Sequence, residues 1–148
     1  MAAERLFGPG GRERAREYLK SFAASFGIHD MRQPDHIPST RPALAVAEHA
    51  RDEGLLDPFR AAAMDAYWRE GRDIEDPSVI RALAERVGLD PAPAVAAMVD
   101  ARYLDRIGRT RMEANAAGVT GIPTVFIGDR TIVGCQPYEV LEAAVRSA

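Results

Sequence analysis

The chain has 148 residues, 47% hydrophobic and 28% charged, with a formal net charge of −3. That length suits one domain with a real core, and the slightly acidic balance gives no broad attraction to nucleic acid or anionic lipid. A single cysteine, Cys135, excludes an internal disulfide and a Cys-x-x-Cys pair, and no apolar run reaches the length of a spanning helix.

In chain order, the opening Met1-Ala2-Ala3-Glu4-Arg5 has no basic region leading into an apolar one, so a cytoplasmic location is expected. Residues 11–26 predict a first helix, with Tyr18, Leu19, Phe22 and Phe26 spaced for one apolar face and Gly27 as its stop. Residues 30–38 carry two prolines and read as a loop or extended segment. Ser39 or Thr40 then caps a helix running to about Asp52 and closed by Gly54.

Three helix starts share one device: Asp57-Pro58, Asp76-Pro77 and Asp90-Pro91. In each, the carboxylate accepts orphan backbone N–H groups, and the proline has no N–H to leave unpaired at the first helical position. Val79, Ile80, Leu83 and Val87 form a core stripe ended by Gly88, and Tyr67 and Trp68 also read as core, as do Phe7 and Phe22. Residues 91–117 form a long helical stretch, broken near Asp100 or Gly108 and ending at Gly118. The pattern then changes: Pro123 to Ile127 is β-branched and aromatic, Gly128-Asp129-Arg130 supplies a turn, and Thr131 to Val133 returns as a second strand. A closing helix starts at Pro137, with Val140, Leu141, Ala144 and Val145 on its buried side. No repeat or linker interrupts the chain, so residues 1–148 are expected to form one domain.

Conventional catalytic motifs are missing. There is no Gly-x-Gly-x-x-Gly, no phosphate-binding Gly-Lys-Ser/Thr loop, no His-Glu-x-x-His and no Gly-x-Ser-x-Gly. The capping role accounts for Asp57, Asp76 and Asp90. His29, His36 and His49 are too dispersed to mark a structural zinc site, and no metal is expected. His29 and His36 read as surface loop residues, and the mixed-sign Arg/Asp/Glu runs as solvated helix faces. Cys135 reads as a small buried hydrophobe, with a redox or sensor thiol as the minority reading.

The informative segment is Gly118 to Tyr138, in which a glycine closes a helix and a short loop ends in Ile122-Pro123 at a strand start. Proline is tolerated there because its missing N–H need not join the ladder. The residue pattern alone favours a trans Ile122–Pro123 bond, cis being the minority isomer.

The Gly-Ile-Pro-Thr-Val-Phe-Ile run (residues 121–127), the hairpin and the Gly-Cys-Gln-Pro-Tyr-Glu-Val-Leu helix start (134–141) resemble the end of DsbA-like thioredoxin-fold oxidoreductases, in particular the FrnE-type branch. Ile37-Pro-Ser-Thr-Arg-Pro-Ala-Leu-Ala is similar to that branch's Pro-Asn-Thr helix start. Ala66-Tyr67-Trp68-Arg69-Glu70-Gly71-Arg72-Asp73-Ile74 is similar to its Ala-Tyr-Phe-x-Glu-Gly-x-Asp-Ile stretch. The resemblance covers roughly residues 30–148. It implies an α/β thioredoxin-like fold, mostly helical by residue count, with a large helical insertion over about residues 39–117 and a C-terminal ββα over 118–148. It also implies that Pro123 is a cis-proline, and that Gly121, Ile122, Pro123 and Thr124 form a substrate- or thiol-binding loop whose Ile122 backbone pairs with an extended peptide or holds glutathione.

The departure from the family is equally informative. The family opens with a strand, a Cys-x-x-Cys at a helix N-terminus and a second strand, and residues 1–10 resemble none of these. The chain therefore reads as beginning after that βαβ unit, with no catalytic residue of its own. Three functions stand as expectations. The first is a thiol–disulfide oxidoreductase family member inactive without its nucleophile. The second is a glutathione-dependent relative of kappa-class transferases and 2-hydroxychromene-2-carboxylate isomerases. The third is a non-enzymatic peptide-binding domain. No cofactor other than glutathione is expected, and no nucleic acid or membrane partner. A sheet reduced to a hairpin leaves an edge open, so the chain is expected to be marginally stable alone or to dimerise through that edge.

Overall fold

The computed structural model describes residues 10–148 apart from residues 33 and 35. Residues 1–9, including Phe7, lie outside the described residues. Among the described residues nine elements occur in chain order: α1 (Gly11–Ala24), α2 (Arg41–Asp52), α3 (Leu56–Trp68), α4 (Pro77–Val87), α5 (Pro91–Ala97), α6 (Ala101–Ala116), β1 (Thr124–Ile127), β2 (Arg130–Val133) and α7 (Tyr138–Arg146). Two compact units divide the chain, one ending at Leu104 and the other Asp105–Ala148, so the division falls within α6. No helix of the described residues is long and apolar enough to cross a membrane.

In the first unit, α2 packs on α3 and α5, and α4 packs on the same two helices. The core they share is small and aliphatic, with Val46, Ala50, Ile80, Ala84 and Ala94 wholly buried around Phe59. Alanine at so many facing positions lets the helix axes approach closely, and the larger side chains fill the space that remains. The stripe on α4 buries Val79, Ile80 and Leu83, while Val87 is half-buried.

Local capping sets the helix boundaries. Asp76 accepts from the Ser78 N–H at 2.7 Å and Asp90 from the Ala92 N–H at 3.0 Å, each with proline next in the chain. Asp57 does not cap: α3 begins earlier, with Leu55 at the cap position, and Asp57 lies inside the first turn, where its charge still faces the positive helix end. Thr40 occupies the cap position of α2 without a side-chain hydrogen bond. The long stretch breaks at residues 98–100, and Asp100 accepts from the Arg102 N–H at 2.8 Å to start α6, while Gly108 stays helical. Gly88 closes α4 at φ 78°, a left-handed conformation that glycine adopts without a Cβ penalty.

The apolar face of α1 is not buried. Tyr18, Leu19, Phe22 and Phe26 are all exposed, and the three aromatic rings instead lie against one another along the helix, Phe22 and Phe26 at 5.2 Å between centroids. Tyr67 and Trp68 are half-buried, with rings edge-on at 4.6 Å.

In the second unit, β1 and β2 form an antiparallel hairpin with Thr124 opposite Val133 and Ile127 opposite Arg130. The turn is therefore Gly128-Asp129, and Arg130 belongs to the strand. Pro137 precedes α7 as expected, but only Ala144 on that helix is buried. Val140 and Val145, expected on the buried side, are exposed. Helical spacing shows which face is apolar but not how far it is covered, and this one is covered only in part.

The Asp76 cap has a pH signature. Its carboxyl lies below its ordinary value, chiefly because the Ser78 backbone N–H donates to the charged form. A depressed folded pKa makes the cap stabilising above the unfolded value of about 3.9, and that contribution is lost as pH falls through the folded value. Asp76→Asn removes this titration, so its melting temperature should fall less steeply than wild type below about pH 4. Parallel acid limbs would show that the cap contributes nothing.

Candidate functional site

The loop between α6 and β1 is fixed at both ends. Gly118 turns the chain at φ 80°, and the Val119 N–H donates back to Ala114 at 3.0 Å, so α6 ends in a closed turn. The Thr124 hydroxyl, at the start of β1, donates to the Gly121 carbonyl at 2.6 Å. Across the hairpin the Gly134 N–H donates to the Pro123 carbonyl at 2.8 Å. Gly121 also lies close under β2: a Cβ there would sit 3.2 Å from a methyl of Val133. Between these anchors the Ile122–Pro123 peptide is cis, not the trans bond that the residue pattern alone favours.

The result is a short exposed stretch of backbone on a held frame. Ile122 is 91% exposed, and its N–H and C=O make no hydrogen bond among the described residues. Pro123 is exposed, and Gly121 and Thr124 are half-buried. Ile122 thus offers both an N–H and a carbonyl to an incoming chain. β1 is paired only with β2 in this sheet, so its other edge carries unpaired backbone groups beside that stretch.

Cys135 comes directly after Gly134 and is exposed, which corrects the expectation of a buried thiol. The general tendency of cysteine to be buried is overridden by place: Gly134, at φ 86°, turns the chain out of β2, and residues 135–137 form the connection to α7. Beside this connection an open groove of about 640 Å³ runs between β2 (Arg130, Thr131, Ile132) and α7 (Glu139, Val140, Ala143, Ala144).

The first unit holds a polar pair that sequence reading did not single out. His49 is 8% exposed on α2, and its Nδ1 lies 3.1 Å from the Tyr103 hydroxyl, 54 positions away. Arg102 donates to the same hydroxyl at 2.7 Å and stacks over the Tyr103 ring. Burial pushes the Tyr103 phenol above its ordinary pKa, with the Arg102 charge opposing. The His49 Nε2 is buried without a partner among the described residues. The other two histidines are exposed, as expected, but His36 has a partner: its Nε2 lies 3.0 Å from an Asp73 carboxylate oxygen.

Comparison with known proteins agrees with this geometry. The family model of the DSBA-like thioredoxin domain matches residues 12–146. YwbO, an uncharacterized protein of Bacillus subtilis, is 32% identical over 109 residues, which cover 73% of this chain and 54% of that protein. A 2-hydroxychromene-2-carboxylate isomerase of Sphingobium xenophagum is 28% identical over 114 residues, 72% of this chain and 58% of that protein. The chain thus spans little more than half the length of these relatives. Among solved structures, a 2-hydroxychromene-2-carboxylate isomerase superposes with a TM-score of 0.77 at 21% identity, over 91% of this chain and 66% of the other. A probable DsbA oxidoreductase from Streptomyces coelicolor superposes with a TM-score of 0.76 at 26% identity, over 90% of this chain and 58% of the other. The fold is therefore thioredoxin-like with a helical insertion.

The Thr124 hydroxyl ties the loop to the strand after it. Thr124→Val removes this hydrogen bond at nearly constant volume and should lower stability in urea denaturation by about 1 kcal/mol. An unchanged midpoint would mean that the bond does not hold the loop.

Proposed function

We propose, on the premise that this chain belongs to the DSBA-like thioredoxin domain family, that its 121–124 loop is the substrate-facing side of a thiol–disulfide oxidoreductase of the DsbA type. The carrying observation is the exposed, unbonded backbone of Ile122 on a loop whose neighbours are fixed. An extended peptide can add there as a further strand, its main chain pairing with Ile122 and the open β1 edge. Thiol–disulfide exchange needs an attacking thiolate, and the chain's one cysteine is Cys135, in the connection after β2. The proposal gives this chain substrate binding and leaves the nucleophile to a Cys-x-x-Cys unit outside its 148 residues. A cytoplasmic setting, and pairing of two copies through the β1 edge when no peptide is bound, belong to the same proposal.

A second reading is favoured by the isomerase of Sphingobium xenophagum. In it the Ile122 backbone holds the cysteinyl backbone of glutathione rather than a protein. The free N–H and C=O of Ile122 fit either ligand, since both present a peptide backbone. Without a nucleophile in play, the same loop would serve as a peptide-binding module.

Anisotropy of a labelled extended peptide carrying one cysteine separates these readings. The peptide should bind saturably to the whole chain, and Ile122→Pro, which removes the N–H, should weaken it at least about tenfold, roughly 1.4 kcal/mol. Displacement by glutathione at equal strength would transfer the case to the second reading. Insulin reduction by the chain alone should not exceed the dithiothreitol background, and Cys135→Ser should leave it there. Turnover abolished by Cys135→Ser would overturn the assignment of a binding role to this chain.

A further inference from the structure

We propose that His36, Asp73 and Glu75 form a binding site for one divalent transition-metal cation of the zinc type. The site lies within the first unit and is independent of the loop at Ile122. One donor atom from each of the three residues lies within 4.8 Å of the others. Zinc sits about 2.0–2.2 Å from nitrogen and oxygen donors, so donors around one tetrahedral ion lie about 3.3–3.6 Å apart. His36 Nε2 and the Asp73 oxygen, 3.0 Å apart, already lie within that spacing, and any wider separation closes by at most about 1.5 Å through side chains that are partly or fully exposed.

The two segments that carry the donors are anchored. His36 precedes Pro38, which is buried, and Asp73 and Glu75 flank Ile74, which is 8% exposed. Each carboxylate is also oriented through one oxygen. Asp73 Oδ1 accepts from the Glu75 N–H at 2.9 Å, and Glu75 Oε2 accepts from the Ser39 N–H at 2.9 Å. Asp73 Oδ2 is the oxygen facing the His36 Nε2, at 3.0 Å. Backbone donors that hold one oxygen of a carboxylate do the work of an outer ligand shell: they orient the group before an ion arrives.

The donor set selects the class of ion. Magnesium and calcium take oxygen donors, whereas an imidazole nitrogen suits zinc, nickel and cobalt. Three protein ligands leave the fourth position of a tetrahedral ion to water. With the imidazole neutral, the two carboxylates balance a dipositive charge. A simple ion pair between protonated His36 and Asp73 is the competing account of the same geometry, and it predicts no metal affinity.

The test is calorimetric titration of the full chain, freed of metal by chelator, with zinc chloride and separately with magnesium chloride. One zinc ion per chain should bind, and magnesium should give no saturable heat. His36→Ala and Asp73→Asn should each weaken zinc binding at least about tenfold, while Cys135→Ser should leave it unchanged. Asp73→Asn keeps an acceptor for the Glu75 N–H, so the turn retains its hydrogen bond. If both variants lose helical circular dichroism, wild-type chain decides: added cobalt chloride should shift and broaden the His36 ring resonances ahead of those of His29 and His49. No saturable zinc, zinc affinity untouched by His36→Ala, loss on Cys135→Ser alone, or ring effects centred on another histidine would each overturn the proposal.

Discussion

The structure depends on the tie between the Ile122–Pro123 loop and the hairpin behind it. The Gly134 N–H bonds the Pro123 carbonyl, the Thr124 hydroxyl bonds Gly121, and the pairing of Thr124 with Val133 fixes the register. A slip of one residue would reverse every side chain of the strands and take the loop with it. Because Pro123 and Gly121 are held in this way, Ile122 is left as an exposed segment of unbonded main chain in a defined place. On the proposed reading, a peptide arriving there loses its own freedom but does not have to order the loop as well, which is where preorganised strand addition gains its affinity.

Much of the fold was legible because its determinants are local. Asp76-Pro77 and Asp90-Pro91 start helices where they should, since an acceptor two residues from an orphan N–H works without help from distant chain. The same pattern at Asp57-Pro58 is displaced because the Leu55–Leu56 backbone already turns into α3. Gly108 does not break α6, as an interior glycine costs a helix only about 1 kcal/mol. The break occurs instead at residues 98–100, where Asp100 can cap the start of α6. The hairpin and its flanking glycines were legible for the same reason, whereas the cis Ile122–Pro123 bond was expected only from the family resemblance, the residue pattern alone favouring trans.

The features hidden from the sequence depend on contacts between distant segments. Periodicity marked Tyr18, Phe22 and Phe26, and Val140 and Val145, as apolar faces, but it does not say what lies against a face, and these are exposed. Composition made Cys135 a buried residue, whereas the turn at Gly134 carries it outward. His49 and Tyr103 meet only because α2 and the start of α6 are brought together, and the Asp73 and Glu75 carboxylates lie near His36 although far from it in the chain. The family match covers nearly the whole chain, while the chain spans little more than half of its curated relatives.

The central claim is that backbone pairing at Ile122 is how this chain meets its substrate. Backbone amide resonances tracked while a cysteine-containing extended peptide is added test it most directly. The account predicts shifts concentrated at residues 121–127, with the amides of α2 to α5 unmoved. Shifts centred on the aromatic face of α1, or on the groove between β2 and α7 with Ile122 silent, would contradict it.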